Sequence, residues 1–192
     1  MTAETLSPAL PEDVERLAQT LLTRACAESL TLATAESCTG GLIASILTDV
    51  EGMGHAFERG FIVYTGRAKA DMLALDPGLI ARCGAVSAGV AIAMAQGALA
   101  ASHADIAVAV TGFAGPAGPD DEPGLVHFAS ARRGQAATHH VAHFGDIGRG
   151  GVRVAATRVA LEMMLGEIDR TAPEAGNFGL LPVVGSESNQ GD

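Results

Sequence analysis

The chain has 192 residues, enough for one domain with a sizeable core. Its formal net charge of −10 excludes the broad basic face that nucleic-acid binding requires, although an anionic nucleotide can still bind through local donors. Hydrophobic residues make up 48% of the chain but aromatics only 4%, and abundant alanine and glycine favour helices packed closely on a sheet over a β-sandwich.

Residues 1–10 hold Glu4 and no basic segment followed by a long apolar core, so they read as a flexible N-terminus rather than a signal peptide. Val14, Leu17, Ala18, Leu21 and Leu22 predict an amphipathic helix within residues 11–29. Residues 31–35 form an apolar, β-branched run expected as a short buried strand, and residues 42–50 return to helical spacing. A glycine-broken loop over 49–58 precedes a second strand at 61–64 and a helix at 68–75 that stops before Pro77. Ser87 is placed to cap an alanine-rich helix reaching about residue 101. The continuous apolar run 106–110 predicts a strand covered on both faces. It leads into a Gly/Pro/Asp loop over 112–124, too long for a plain turn. Residues 125–131 and 136–144 predict a hairpin joined near Arg133-Gly134, and 152–165 a final amphipathic helix. From Thr171 the chain is rich in Pro, Gly, Ser and Asn and reads as a mobile tail.

These elements predict an α/β chain with one domain over residues 11–168, a three-layer α/β/α sandwich around a mixed sheet, and a disordered tail over 169–192. No stretch is long and apolar enough to span a bilayer, so no membrane partner is expected. Cys26, Cys38 and Cys83 follow no metal-like spacing and read as reduced thiols of a cytoplasmic protein. His139, His140 and His143 lie close together, but a half-exposed strand explains them without a metal.

Ala35-Glu36-Ser37-Cys38-Thr39-Gly40-Gly41 places a hydroxyl and two glycines where the first strand gives way to a helix. Backbone N–H groups at such a junction can stabilise an oxyanion or hold a phosphate. Equally, Ser37 or Thr39 can simply cap the helix while the glycines permit close packing. Downstream come Tyr64-Thr65-Gly66-Arg67-Ala68-Lys69, then Gly84-Ala85-Val86-Ser87, then Thr111-Gly112-Phe113-Ala114-Gly115-Pro116. In this order, over residues 14–165, the pieces resemble the C-terminal domain of the CinA (competence/damage-inducible) family, which includes stand-alone nicotinamide mononucleotide deamidases.

The resemblance implies an α/β/α fold and a serine-type amidohydrolase that needs no cofactor or metal. It implies Ser37 as nucleophile, Lys69 as its base and Tyr64 as relay or orienting group. A lysine can serve as base when burial or nearby positive charge weakens its hold on a proton, whereas an exposed helical lysine is an ordinary surface charge. Cys38 is a rival nucleophile, since helix N-termini activate thiolates, or else a small buried hydrophobe. The expected nucleotide pocket takes Glu36, Cys38, Thr39, Gly40 and Gly41 from the turn, Thr111, Gly112 and Gly115 from the strand end, and Arg149 and Arg153 for phosphate. Glu36 serves either the turn or a ribose. The implied partners are a small nucleotide and further copies of the chain.

Several positions depart from the family pattern. Gly66 stands where asparagine is usual, Gly54 replaces a common serine, Ala117-Gly118-Pro119 replaces a glycine pair, and two residues are added between Gly145 and Arg149. Two other readings therefore stand beside the deamidase: a nucleotide-binding protein of weak activity, and an amidase for another small amide. Larger family members carry an N-terminal nucleotide-processing domain, and its activity is not expected from these residues.

Overall fold

The computed structural model describes residues 10–115 and 121–170; the expectations for the N-terminus, for 116–120 and for the tail from 171 lie outside that range. Large and small residues alternate along the central strands, and this alternation sets the two faces of the sheet. β1 (Leu32–Glu36), β3 (Ile106–Gly112) and β4 (Leu125–Arg132) turn Leu32, Ile106, Val108, Val110, Val126 and Phe128 to one side. To the other side they turn the buried alanines Ala33, Ala35, Ala107, Ala109, Ala129 and Ala131. With β2 (Phe57–Ile62) and β5 (Thr138–His143) the five strands run in the order β2-β1-β3-β4-β5. β1, β2 and β3 are parallel, while β4 and β5 pair antiparallel, so the sheet is mixed as expected.

The face with large side chains packs against α1 (Glu12–Ala27), α2 (Leu42–Leu47) and α6 (Gly148–Asp169), burying Leu21, Leu22, Ile43, Leu161 and Met164 among others. The alanine face admits α5 (Ala88–Ala100), itself alanine-rich, with α3 (Gly66–Leu73) and α4 (Pro77–Cys83) alongside. Gly97 lets α5 lie against α3, because a Cβ there would come within 2.9 Å of the Leu73 Cβ. Ser87 caps α5, accepting from the Val90 amide at 3.4 Å.

Several boundaries differ from expectation, and one helix is new. β2 starts at Phe57 rather than 61, since Glu58 and Arg59 lie on an edge strand where charged residues are tolerated. A single 3-10 turn, Gly54–Ala56, precedes it. α4 was not expected: Pro77 stops one helix and opens the next, with Asp76 as its N-cap accepting from the Gly78 amide at 2.8 Å. α6 begins at Gly148, four residues before the predicted start. Its far end is bolted to the hairpin. Buried Glu167 accepts from Ser130 at 2.7 Å, Thr138 at 2.9 Å and Arg170, while Arg132 donates to the carbonyls of Glu167, Ile168 and Arg170. Among the described residues all three cysteines are free, and no helix is long and apolar enough to cross a membrane.

Candidate active site

The parallel strands β1 and β3 end side by side, and the chain leaving β1 turns sharply into α2. The Ser37 amide donates to the Val110 carbonyl at 3.0 Å, which extends the ladder by one residue and fixes the serine at the sheet's carboxyl edge. In open α/β sheets this edge is where ligands bind. Gly40 and Gly41 then take φ of 62° and 94°, a left-handed pair that a side chain would strain. A Cβ on Gly41 would also stand 2.9 Å from Ile62 Cδ1.

Lys69 lies one turn into α3, whose first turn is capped by the Thr65 hydroxyl accepting from the Ala68 amide at 3.1 Å. Its side chain is fully buried, and its Nζ lies 3.0 Å from Ser37 Oγ, 2.8 Å from the Val63 carbonyl oxygen and 3.4 Å from the Tyr64 carbonyl oxygen. Among the described residues it has no carboxylate partner. Burial therefore dominates and lowers its pKa below that of an ordinary lysine, with Cys38 opposing in the smaller, raising sense. The three acceptors match the three hydrogens of an ammonium, and an amine that has lost one proton can still give two hydrogens to the carbonyls while its lone pair faces the Ser37 hydroxyl.

Cys38 behaves differently. It is 9% exposed, and burial pushes its thiol up to about 12, with the Glu36 charge adding to the rise. The helix-end activation weighed from the sequence is outdone by desolvation, and the thiolate is scarce near neutral pH.

A cavity of about 260 Å³ opens over these groups. Of the expected residues, Ser37, Cys38, Tyr64, Lys69, Thr111, Gly112, Gly115 and Arg149 line it. Tyr64 is 69% exposed at the rim, and it meets Lys69 through its backbone carbonyl, not its phenol. The Thr111 hydroxyl donates to the Ala85 carbonyl at 2.8 Å and so holds the 84–87 segment over the site. Gly112 lets β4 approach, since a Cβ would stand 2.6 Å from the Leu125 carbonyl oxygen. Gly115 leaves room for the Arg149 guanidinium, which a Cβ would overlap. Arg149 itself is exposed and, among the described residues, makes no ion pair.

Five expected pocket residues are not brought to the cavity. Glu36 is fully buried and accepts three amides of the turn and α2: Gly41 at 2.9 Å, Ile43 at 3.2 Å and Ala44 at 2.8 Å. Thr39 is fully buried, and its hydroxyl has no partner among the described residues. Gly40 and Gly41 shape the turn without lining the cavity. Arg153 folds back onto the Thr39 carbonyl, donating from Nε at 2.9 Å and from Nη2. Conversely, Phe113, Ala114, Ala85 and Val86 line the cavity and were not singled out. All four belong to the Gly84-Ala85-Val86-Ser87 and Thr111-Gly112-Phe113-Ala114-Gly115-Pro116 motifs, but small apolar side chains carry no chemical signal in a sequence.

Among the described residues, Gly54, Gly66 and the added residues before Arg149 fall outside the cavity lining, while 117–119 lie outside the described range. Gly66 is the first residue of α3, its missing side chain facing the Ile80 methyls, and a Cβ on Gly54 would meet nothing within 4 Å. His127, His139, His140 and His143 sit on the outer hairpin: His127 stacks on His139 with 3.0 Å between ring nitrogens, and His143 pairs with Glu122 at 2.7 Å.

The family model for the CinA C-terminal domain matches residues 14–168. The nicotinamide-nucleotide amidohydrolase PncC of Escherichia coli (strain K12) is 45% identical over 141 residues, 72% of this chain and 84% of that protein. A putative competence-damage inducible protein of Symbiobacterium thermophilum is 48% identical over 125 residues, 64% of this chain and 29% of that one. Among solved structures, the competence/damage inducible protein CihA from Agrobacterium tumefaciens superposes with a TM-score of 0.80 at 45% identity, covering 84% of this chain and 98% of its own. A CinA superfamily protein from Escherichia coli gives 0.75 at 36% identity, covering 85% and 98%.

Proposed function

This chain belongs to the CinA C-terminal domain family, and on that premise we propose that it hydrolyses the carboxamide of nicotinamide mononucleotide, releasing ammonia and nicotinic acid mononucleotide. The observation that carries the reading is the buried Lys69 amine 3.0 Å from the Ser37 hydroxyl, with no carboxylate partner among the described residues. An aliphatic hydroxyl is a poor nucleophile unless a base takes its proton. Lys69 takes that proton as Ser37 Oγ attacks the carboxamide carbon. The pyridinium ring of the substrate withdraws electrons from that carbon and eases the attack.

The tetrahedral oxyanion needs preorganised donors. The α2 amides of Ile43 and Ala44 and the Gly41 amide are spent on Glu36, and the Gly40 amide on the Ser37 carbonyl. The Cys38 amide, on a residue that lines the cavity, goes to no backbone carbonyl among the described residues, and we assign it to the oxyanion. The Lys69 ammonium then protonates the departing nitrogen, leaving an acyl-serine and ammonia. Water, deprotonated by the neutral lysine, resolves the ester to the carboxylate and restores Ser37. At the other end of the substrate, Arg149 is the free fork for the phosphate.

The test is ammonia release from nicotinamide mononucleotide by the parent and by Ser37→Ala. Release by the parent alone supports reaction and nucleophile together. Release by both keeps the reaction and removes Ser37 from it. Binding without release in the parent favours the weak nucleotide-binding protein, and release from a different carboxamide alone favours another amidase.

A further inference from the structure

Two charged side chains flank the nucleophile's backbone without entering the cavity, and both are committed to main-chain atoms. Glu36 spends its two carboxylate oxygens on the amides of Gly41, Ile43 and Ala44. Arg153 spends one edge of its guanidinium on the carbonyl of Thr39, and its Nη2 would stand 3.1 Å from a Cβ on Gly40. We infer that Glu36 and Arg153 are positioning residues that grip the Ser37–Gly41 turn, one by its amides and the other by a carbonyl, and are not ligands of the substrate's ribose and phosphate.

The physical need for such a grip is plain in the local sequence. α2 has only six residues, too few to hold its own first turn, and the turn before it contains consecutive glycines with left-handed backbone. Left alone, Thr39-Gly40-Gly41 can rotate its peptide planes cheaply. Glu36 supplies the acceptors that the helix N-terminus lacks, and it fills with a resident anion the place where a ligand anion would otherwise settle. Arg153 pins the Thr39–Gly40 peptide plane by its carbonyl. The Cys38 amide is then the donor left at the cavity, one residue after the nucleophile. Because the two anchors reach the turn from β1 and from α6, they tie it to the sheet and to the helix layer together.

This inference rests on the reading of Ser37 as nucleophile, and its test separates the two. Arg153→Ala, Glu36→Gln and Arg149→Ala are assayed for ammonia release from nicotinamide mononucleotide and from the corresponding riboside, which bears the same carboxamide without phosphate. Backbone amide exchange is followed in parallel by NMR. A misplaced nucleophile costs on the order of 10²-fold in rate, so Arg153→Ala is expected to lower kcat by about that factor on both amides. Its KM for the mononucleotide should stay within about threefold. Arg149→Ala should instead raise KM for the mononucleotide alone. In Glu36→Gln the amides of Gly41, Ile43 and Ala44 should exchange faster while those of β3 stay protected. A KM increase in Arg153→Ala confined to the phosphorylated amide, with kcat kept, overturns the inference and returns Arg153 to the phosphate. Unchanged exchange around residues 38–44 in both Glu36→Gln and Arg153→Ala overturns it as well. If Glu36→Gln does not fold, Arg153→Ala decides alone. A parent that releases no ammonia defeats the deamidase reading only, and amide exchange still judges the grip.

Discussion

Replacing Lys69 by methionine should separate what this side chain does for the reaction from what it costs the fold. Methionine is close in volume and unbranched, so it fills the same channel beneath the Ser37 turn. Loss of the amine beside Ser37 Oγ removes general-base catalysis, about 10²–10⁴-fold in kcat. That corresponds to about 3–5.5 kcal/mol of transition-state stabilisation. Stability is a balance of two opposed changes. An apolar replacement removes the desolvation cost of the buried amine, a gain, while the bared carbonyl of Val63 costs about 1–3 kcal/mol. The diagnostic quantity is therefore the pH slope and not the melting point at one pH. Burial depresses the Lys69 pKa in the fold, whereas the unfolded chain keeps the ordinary value of 10.5. Between the two the unfolded state holds more protons, so stability rises with pH across that window and is lowest, on this account, below it. Denaturant melts of parent and Lys69→Met from neutral pH to above 10 should diverge accordingly, the parent gaining on the variant as pH rises. Ammonia release by the parent should climb over the lower part of the same window as the amine loses its proton. Equal pH slopes in the two proteins, or a variant within tenfold of parental kcat, would refute the claim that Lys69 is a buried neutral base.

Cys38→Ala should keep ammonia release within about tenfold, since its thiol is held protonated near neutral pH; iodoacetamide mass spectrometry should find Cys83 modified and Cys38 untouched. Arg149→Ala should weaken binding of the phosphorylated substrate by about 1.5–3 kcal/mol, the worth of a charge-assisted hydrogen bond, measured as a rise in KM. Glu167→Ala removes the acceptor shared by Arg170, Ser130 and Thr138 at the far end of α6 and should cost about 1–3 kcal/mol in a urea melt, with KM unchanged for whatever enzyme remains folded.

The strands and long helices were legible because their cue is local. Continuous apolar runs marked β1 and β3, and Arg133-Gly134 marked the hairpin. What escaped was set by neighbours. Phe57-Glu58-Arg59-Gly60 becomes strand through parallel pairing with β1, and Gly60 is squeezed between Thr34 and Ala44 from other elements. The start of α6 is hidden by glycines that carry no periodicity. At the site, Ser37 and Lys69 could be named from motifs, but the direction of a side chain could not. Glu36 turns onto α2, Arg153 onto Thr39, and Tyr64 meets the lysine with its carbonyl, each fixed by packing between segments distant in sequence. The two arginines four residues apart looked equivalent on a helical face, yet only tertiary structure gives one a peptide carbonyl and leaves the other at the rim.

α6 carries Arg149 and Arg153 in its opening turns and the Glu167 bolt near its close, within one run of 22 residues. Such a rod is about 33 Å long and advances 100° per residue. Its two ends are therefore phased to one another like teeth on a shaft. Substitutions along its outer side leave that phase intact, but inserting or deleting a single residue between 154 and 166 would rotate one set of contacts away from its partners. Length changes should thus be tolerated in the turn that precedes the helix, where the added residues near Gly145 lie, and be selected against within it.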